Sequence, residues 1–142
     1  MTDMKIAICA SISAREDILR VKEELESLGH VVGVPEDIEN WESVNRRLLD
    51  MNVFERANDK IENDFIRKHY EVIKRHDAIL VVNSDKNGIK GYIGGNTFLE
   101  MGFAFILNKK IFCLNQLPEL PYASEIIGMQ PIVLNGNLNL LG

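Results

Sequence analysis

The chain has 142 residues, 26% of them charged, with 16 Lys and Arg against 21 Asp and Glu for a formal net charge of -5. That length fits one domain, residues 1–142, with a core that needs no disulfide or metal staple. The acidic balance offers no electrostatic footprint for a nucleic acid polymer or an anionic membrane surface, and no apolar run reaches the length of a bilayer span; a small-molecule partner and a cytoplasmic location are expected.

Lys5 to Cys9 (KIAIC) is a short β-rich run, expected to be the first strand, where a signal peptide would need a longer apolar region. A polar turn, Ala10 to Ala14, leads into a helix from about Arg15 to Leu28, because Ile18, Val21, Leu25 and Leu28 recur at helical spacing and Gly29 ends it. Val31 to Val34 is the second strand. From about residue 35 to 60 the chain carries a charged insertion rich in helix formers, with Trp41, Leu48, Leu49, Met51, Val53 and Phe54 spread through it, too apolar for a disordered linker. Three readings of it are open: a helical crossover that covers the sheet, a lid, or a surface for another subunit.

The next helix, about Asn58 to His76, places Ile61, Phe65, His69 and Ile73 on one stripe. Ala78 to Asn83 is the third strand, Thr97 to Leu107 a helix, and Lys110 to Asn115 and Pro131 to Leu134 the fourth and fifth strands. This alternation predicts an α/β fold: a doubly wound, flavodoxin-like or Rossmann-like parallel sheet of five strands in the order 2-1-3-4-5, with helices on both faces. In such sheets a ligand binds at the carboxyl ends of the strands where the order reverses, here between the first and third. The loops Ala10 to Ala14 and Ser84 to Gly95 meet there.

The second of those loops runs into YIGGNTFLEMG, Tyr92 to Gly102, and is the most informative stretch of the chain. Its glycines, Gly88, Gly91, Gly94 and Gly95, exceed what a plain strand-to-helix turn needs, and they allow close backbone approach to a ligand at a helix start. Glu100 then falls at the beginning of the helix. Two readings compete: a carboxylate placed for chemistry, or a capping box in which Thr97 and Glu100 satisfy each other's backbone donors. His69 has a similar pair of readings, a packed core histidine or a proton donor. Cys9 and Cys113 lie in apolar runs and are expected as reduced, buried thiols, and with His30, His69 and His76 they make no cluster at zinc-ligand spacing; no metal and no cofactor are expected.

On these residues the chain resembles the nucleoside 2-deoxyribosyltransferase family, including its nucleotide N-glycosidase relatives. The similarity rests on the opening strand with its CASI turn, on HDAILVVN, and above all on LEMGFAFILNKKIFCLN, with Glu100, Gly102 and the strand Lys109 to Leu114 as its most specific part. The resemblance implies that Glu100 attacks the anomeric carbon of a nucleoside or nucleoside 5′-monophosphate, expelling the base, and that the glycosyl ester passes to water or to another base. It further implies that Ser11 and Ile12 of the first turn, and Asn83, Gly91, Gly94, Gly95 and Asn96 of the loop, hold the sugar and any 5′-phosphate. Arg15 pairs with a phosphate or is simply a solvated arginine.

Two positions depart from the family. His69 stands where relatives carry an aspartate that helps protonate the leaving base, and Ala7 where they carry a tyrosine that orients the glutamate; His69 as a replacement acid and Tyr70 or Tyr92 as a replacement hydroxyl are the corresponding expectations. Relatives complete their pockets across subunits, which implies a homodimer or higher homo-oligomer and makes Asn135 to Gly142 either a contributor to a neighbour's pocket or a frayed end. Ala7 and His69 also keep open a non-catalytic nucleotide-binding or sensor module. A more distant resemblance, of GGNTFLE to phosphoribohydrolases of the cytokinin-activating type, lacks their glycine before Thr97.

Overall fold

The computed structural model describes residues 3–35 and 51–141. Trp41, Leu48 and Leu49 of the insertion lie outside the described residues. Five strands, β1 (Lys5–Cys9), β2 (Val31–Gly33), β3 (Ala78–Val81), β4 (Lys110–Cys113) and β5 (Ile132–Val133), pair in parallel in the order β2-β1-β3-β4-β5. Around them lie α1 (Arg15–Ser27), α2 (Val53–Asn63), α3 (Phe65–Lys74), α4 (Gly95–Ile106) and α5 (Ala123–Gly128). The α/β class and the order 2-1-3-4-5 are those the alternation of apolar runs predicts.

The strand pleat sends alternate side chains to two cores. Ile6, Ile8, Ala78, Leu80 and Phe112 meet Ile18, Val21 and Leu25 of α1 on one face. Ala7, Cys9, Ile79, Val81, Ile111 and Cys113 meet Ile73 of α3, Met101 and Ala104 of α4 and Ile126 of α5 on the other. Every residue of β3 is fully buried, which is why the central strands read as continuous apolar runs rather than alternating ones. Each large side chain sealed this way contributes about 1.5–3 kcal/mol. The same pleat places the last residue of β1, Cys9, on the face shared with α3 and α4.

Four features differ from the sequence expectation. The single helix from Asn58 to His76 is two helices: Asp64 adopts a left-handed conformation (φ 51), its N–H closing the end of α2 on the carbonyls of Lys60 and Ile61. Ile61 therefore leaves the stripe and is exposed, whereas His69 and Ile73 stay buried on α3. Helix α4 starts at Gly95, with Gly94 as N-cap in an extended conformation and no side-chain cap bond, so Thr97 is a buried residue inside the first turn and the capping box is not formed. Helix α5 was not expected, since six residues with one buried position, Ile126, carry no period. Finally, the turn Leu138–Leu141 docks Leu138 and Leu141 on the α1-side core instead of fraying.

Candidate active site

The order of the sheet reverses between β1 and β3, and a crevice opens beyond their carboxyl ends. It is lined by Ser11, Ser13, Ser84, Lys86, Tyr92 and Thr97 among others, and its cavity volume of about 30 Å³ is room for a water or two, well below the roughly 300–1,000 Å³ of a pocket that encloses a ligand. Local chemistry explains the walls. Ser11 caps the turn Ile12–Ala14, its Oγ accepting from the N–H of Ser13 and lying 2.9 Å from the Ser13 Oγ. The loop after β3 folds back on itself at Asn87–Gly88, both at positive φ, with Lys86 and Ile89 exchanging backbone hydrogen bonds of 3.1 and 2.9 Å. The Lys86 ammonium sits 5.6 Å from the centre of the Tyr92 ring. Ser84 donates a 2.5 Å hydrogen bond to Asp17 of α1, which pins the loop to the helix and, with Arg20, holds the Asp17 carboxyl below its usual range.

Asn83 and Gly91 brace that loop. The Asn83 side chain is buried at 1% exposure; its Nδ2 donates to the carbonyls of Asn115 and Gln116 at 3.0 Å and more weakly to Gly91, and its Oδ1 accepts from the Asn115 N–H at 2.9 Å. Asn115 returns a bond to the Asn83 carbonyl. Gly91 has φ +65, and a Cβ there would lie 2.0 Å from the Gln116 carbonyl oxygen. The backbone of the loop thus packs directly on the chain after β4, a closeness only glycine permits.

Glu100 sits one helical turn beyond Thr97, in the second turn of α4, and is 5% exposed. Helical side chains lean toward the N-terminus, which turns its carboxylate back toward the carboxyl ends of the strands. Asn96, at the exposed start of the helix, donates from Nδ2 to Glu100 Oε2 at 3.4 Å. His69, reaching across from α3, has Nε2 3.7 Å from Glu100 Oε2 and 3.5 Å from Cys9 Sγ. Burial is the chief reason that the His69 ring is pushed down to a pKa of about 4, the Ile8 carbonyl pulling the other way. Burial, and after it the Glu100 carboxylate, raises the Cys9 thiol well above its usual value. At neutral pH the imidazole is neutral and the thiol protonated.

Of the residues singled out from sequence, the fold brings Glu100, His69 and Asn96 together and sets Ser11 on the crevice wall. Gly94 and Gly95 form the start of α4, with open space where a Gly95 side chain would project. Ile12 packs against the α1-side core, and Arg15 opens α1 outside the crevice lining. Tyr92 is on the crevice, whereas Tyr70 stacks edge-on against Phe103 with ring centres 5.3 Å apart. Sequence reasoning passed over Cys9 beside Glu100, since an apolar run is the only signal it gives.

No protein-family model matches the chain, and no curated protein matches it. Among solved structures, the chain is similar to a 2-deoxyribosyltransferase from the psychrotolerant bacterium Bacillus psychrosaccharolyticus, described as a biocatalyst for the synthesis of antiviral and antitumoral nucleosides. The TM-score is 0.51 and the identity 20%, over 77% of this chain and 70% of that one. The likeness is one of fold.

Proposed function

We propose that the chain cleaves the N-glycosidic bond of a nucleoside or nucleoside 5′-monophosphate, with Glu100 as nucleophile. One observation carries the reading: a buried carboxylate, touched by Asn96 and His69, one helical turn from a polar crevice at the switch point of a sheet with a deoxyribosyltransferase's fold. A carboxylate there can stabilise oxocarbenium-like charge on the sugar and then trap it. Its oxygen forms a bond to C1′ as the C1′–N bond breaks, and the base leaves with that electron pair and takes up a proton from solvent, which the later attack of water or of the second base's N–H gives back. Water or a second base then displaces the ester and restores the carboxylate. The hydroxyls of Ser11 and Ser84 and the Lys86 ammonium offer the crevice groups for a sugar and a 5′-phosphate.

His69 enters as a neutral ring, so its part is to pack against the Glu100 carboxylate, Nε2 3.7 Å from Oε2, rather than to arrive charged with a proton for the base. A homodimer or higher homo-oligomer belongs to the same proposal. Leu99 and Ile106 of α4 and Phe54 of α2, 43%, 78% and 83% exposed, are among the exposed apolar side chains of the described residues that could serve it, and light scattering of the purified protein reads the oligomeric state directly.

The test is base release from a panel of ribo- and deoxyribonucleosides and their 5′-monophosphates, with Glu100→Ala beside the wild type. Release that disappears in the variant supports the proposal, and addition of a second base separates transfer from hydrolysis. The depth of Glu100 behind Thr97 favours one second reading, a nucleotide-binding module without turnover. Absence of release from every substrate, with a nucleotide still raising the melting temperature, establishes that one instead.

A further inference from the structure

The side chains of Cys9, His69 and Glu100 come from the end of β1, from α3 and from α4, and their S, N and O atoms all lie within 4.8 Å of one another. All three are buried, at 0%, 5% and 5% exposure. The imidazole Nε2 lies 3.5 Å from Sγ and 3.7 Å from a carboxylate oxygen, the second longer than an ordinary hydrogen bond, and the Cys9 thiol also hydrogen-bonds the Glu100 carboxylate. A tetrahedral Zn2+, with ligand bonds of about 2.0–2.3 Å, separates its ligands by roughly 3.3–3.6 Å. The separations on either side of Nε2 match that edge to within tenths of an ångström.

We propose that Cys9, His69 and Glu100 form a three-ligand site for a borderline-soft divalent cation of the Zn2+ class, leaving the fourth position of the tetrahedron open. Charge supports it: a thiolate, a carboxylate and a neutral imidazole around a divalent cation make a neutral unit, the form that a dry interior tolerates. Donor softness excludes the harder cations, because Mg2+ and Ca2+ take oxygen ligands and a thiolate does not suit them. Rigid elements hold the ligands: a strand end and two helices whose neighbours, Ile73, Met101 and Ala104, are fully buried. Binding displaces the thiol proton to solvent and occupies the Glu100 carboxylate. The cation is therefore an inhibitor of the glycosyl chemistry, a consequence that rests on the reading of Glu100 given above, whereas binding itself rests on the geometry alone.

The test uses metal-freed full-length protein titrated with Co2+, a spectroscopic stand-in for Zn2+. The expected result is a thiolate-to-cobalt charge-transfer band that saturates at one equivalent, is displaced by Zn2+ but not by Mg2+, is absent in Cys9→Ala and Cys9→Ser, and persists in Cys113→Ala. Circular dichroism of each variant confirms that it is folded. No band, or one that survives in both Cys9 variants, overturns the site. Base release is measured in parallel: one equivalent of Zn2+ lowers it at least tenfold and a chelator restores it. A saturating band with undiminished base release overturns the inhibitory consequence. A band in a protein that releases no base from any substrate leaves the metal site standing and removes the glycosidase reading instead.

Discussion

Folding holds His69 neutral in surroundings that the unfolded chain lacks, and the cost appears as pH-dependent stability. In the unfolded chain its pKa is 6.5; in the fold it is about 4, chiefly through burial at 5% exposure. Below pH 6.5 the unfolded state takes up a proton that the folded state refuses, so the stabilisation is complete above 6.5 and is lost as the pH falls toward 4. Lowering the pKa from 6.5 to about 4 corresponds to about 3 kcal/mol at about 1.36 kcal/mol per pH unit, a large share of a typical domain's stability. Other titratable groups near the ring are Glu100, His76 and Cys9; the Cys9 thiol stays protonated throughout this range. Urea unfolding followed by circular dichroism between pH 7.5 and 4, on the wild type and on His69→Gln, separates the His69 contribution, because every other side chain is common to both proteins. The wild type should lose about 3 kcal/mol more than the variant across that window. Parallel pH profiles for the two proteins would refute the reasoning.

Other consequences are open to direct measurement. Gly91→Ala places a Cβ against the Gln116 carbonyl at a positive φ, and should lower stability by about 2 kcal/mol or more, read from the thermal midpoint; an unchanged midpoint would show that the loop does not pack on the chain after β4. Asn83→Ala strips the hydrogen bonds that join the ends of β3 and β4 and leaves the Asn115 N–H without its acceptor, at an expected cost of about 3 kcal/mol; a loss under about 0.5 kcal/mol would count against the brace. Neither cysteine should react with a thiol reagent in the native protein at pH 8, since burial pushes Cys113 up to about 12 and Cys9 well above its usual value, and both should react in denaturant. Rapid labelling of one thiol in the folded state would contradict that packing.

The fold was legible because its signals are local. The apolar runs that became β1, β3 and β4 are each buried on both sides by nearest neighbours in the sheet, and the period of Ile18, Val21 and Leu25 is enough to define the buried face of α1. The loop that carries Gly91 was equally visible, because glycines exceeding the needs of a turn mark a close approach wherever they occur. Glu100 was legible as a residue, though not its setting: the pattern Thr97-x-x-Glu100 fits a capping box, and only the extended backbone of Gly94 starts the helix early enough to carry the carboxylate into the second turn and the interior.

What the tertiary structure alone decided are the meetings of polar groups far apart in the chain. Cys9 and His69 are 60 residues apart and meet because the pleat of β1 turns Cys9 to the face that α3 covers, a choice that the apolar run KIAIC does not encode. Asn83 reads as the end of a strand, yet its amide closes the gap to Asn115 because β3 and β4 lie side by side in register. Asp64 ends a helix that the period of apolar residues would continue, since one left-handed residue changes the direction of the chain without altering the pattern. Periodicity records which face of an element avoids water; which polar side chains then face one another depends on how the elements dock, and that is a property of the packed molecule.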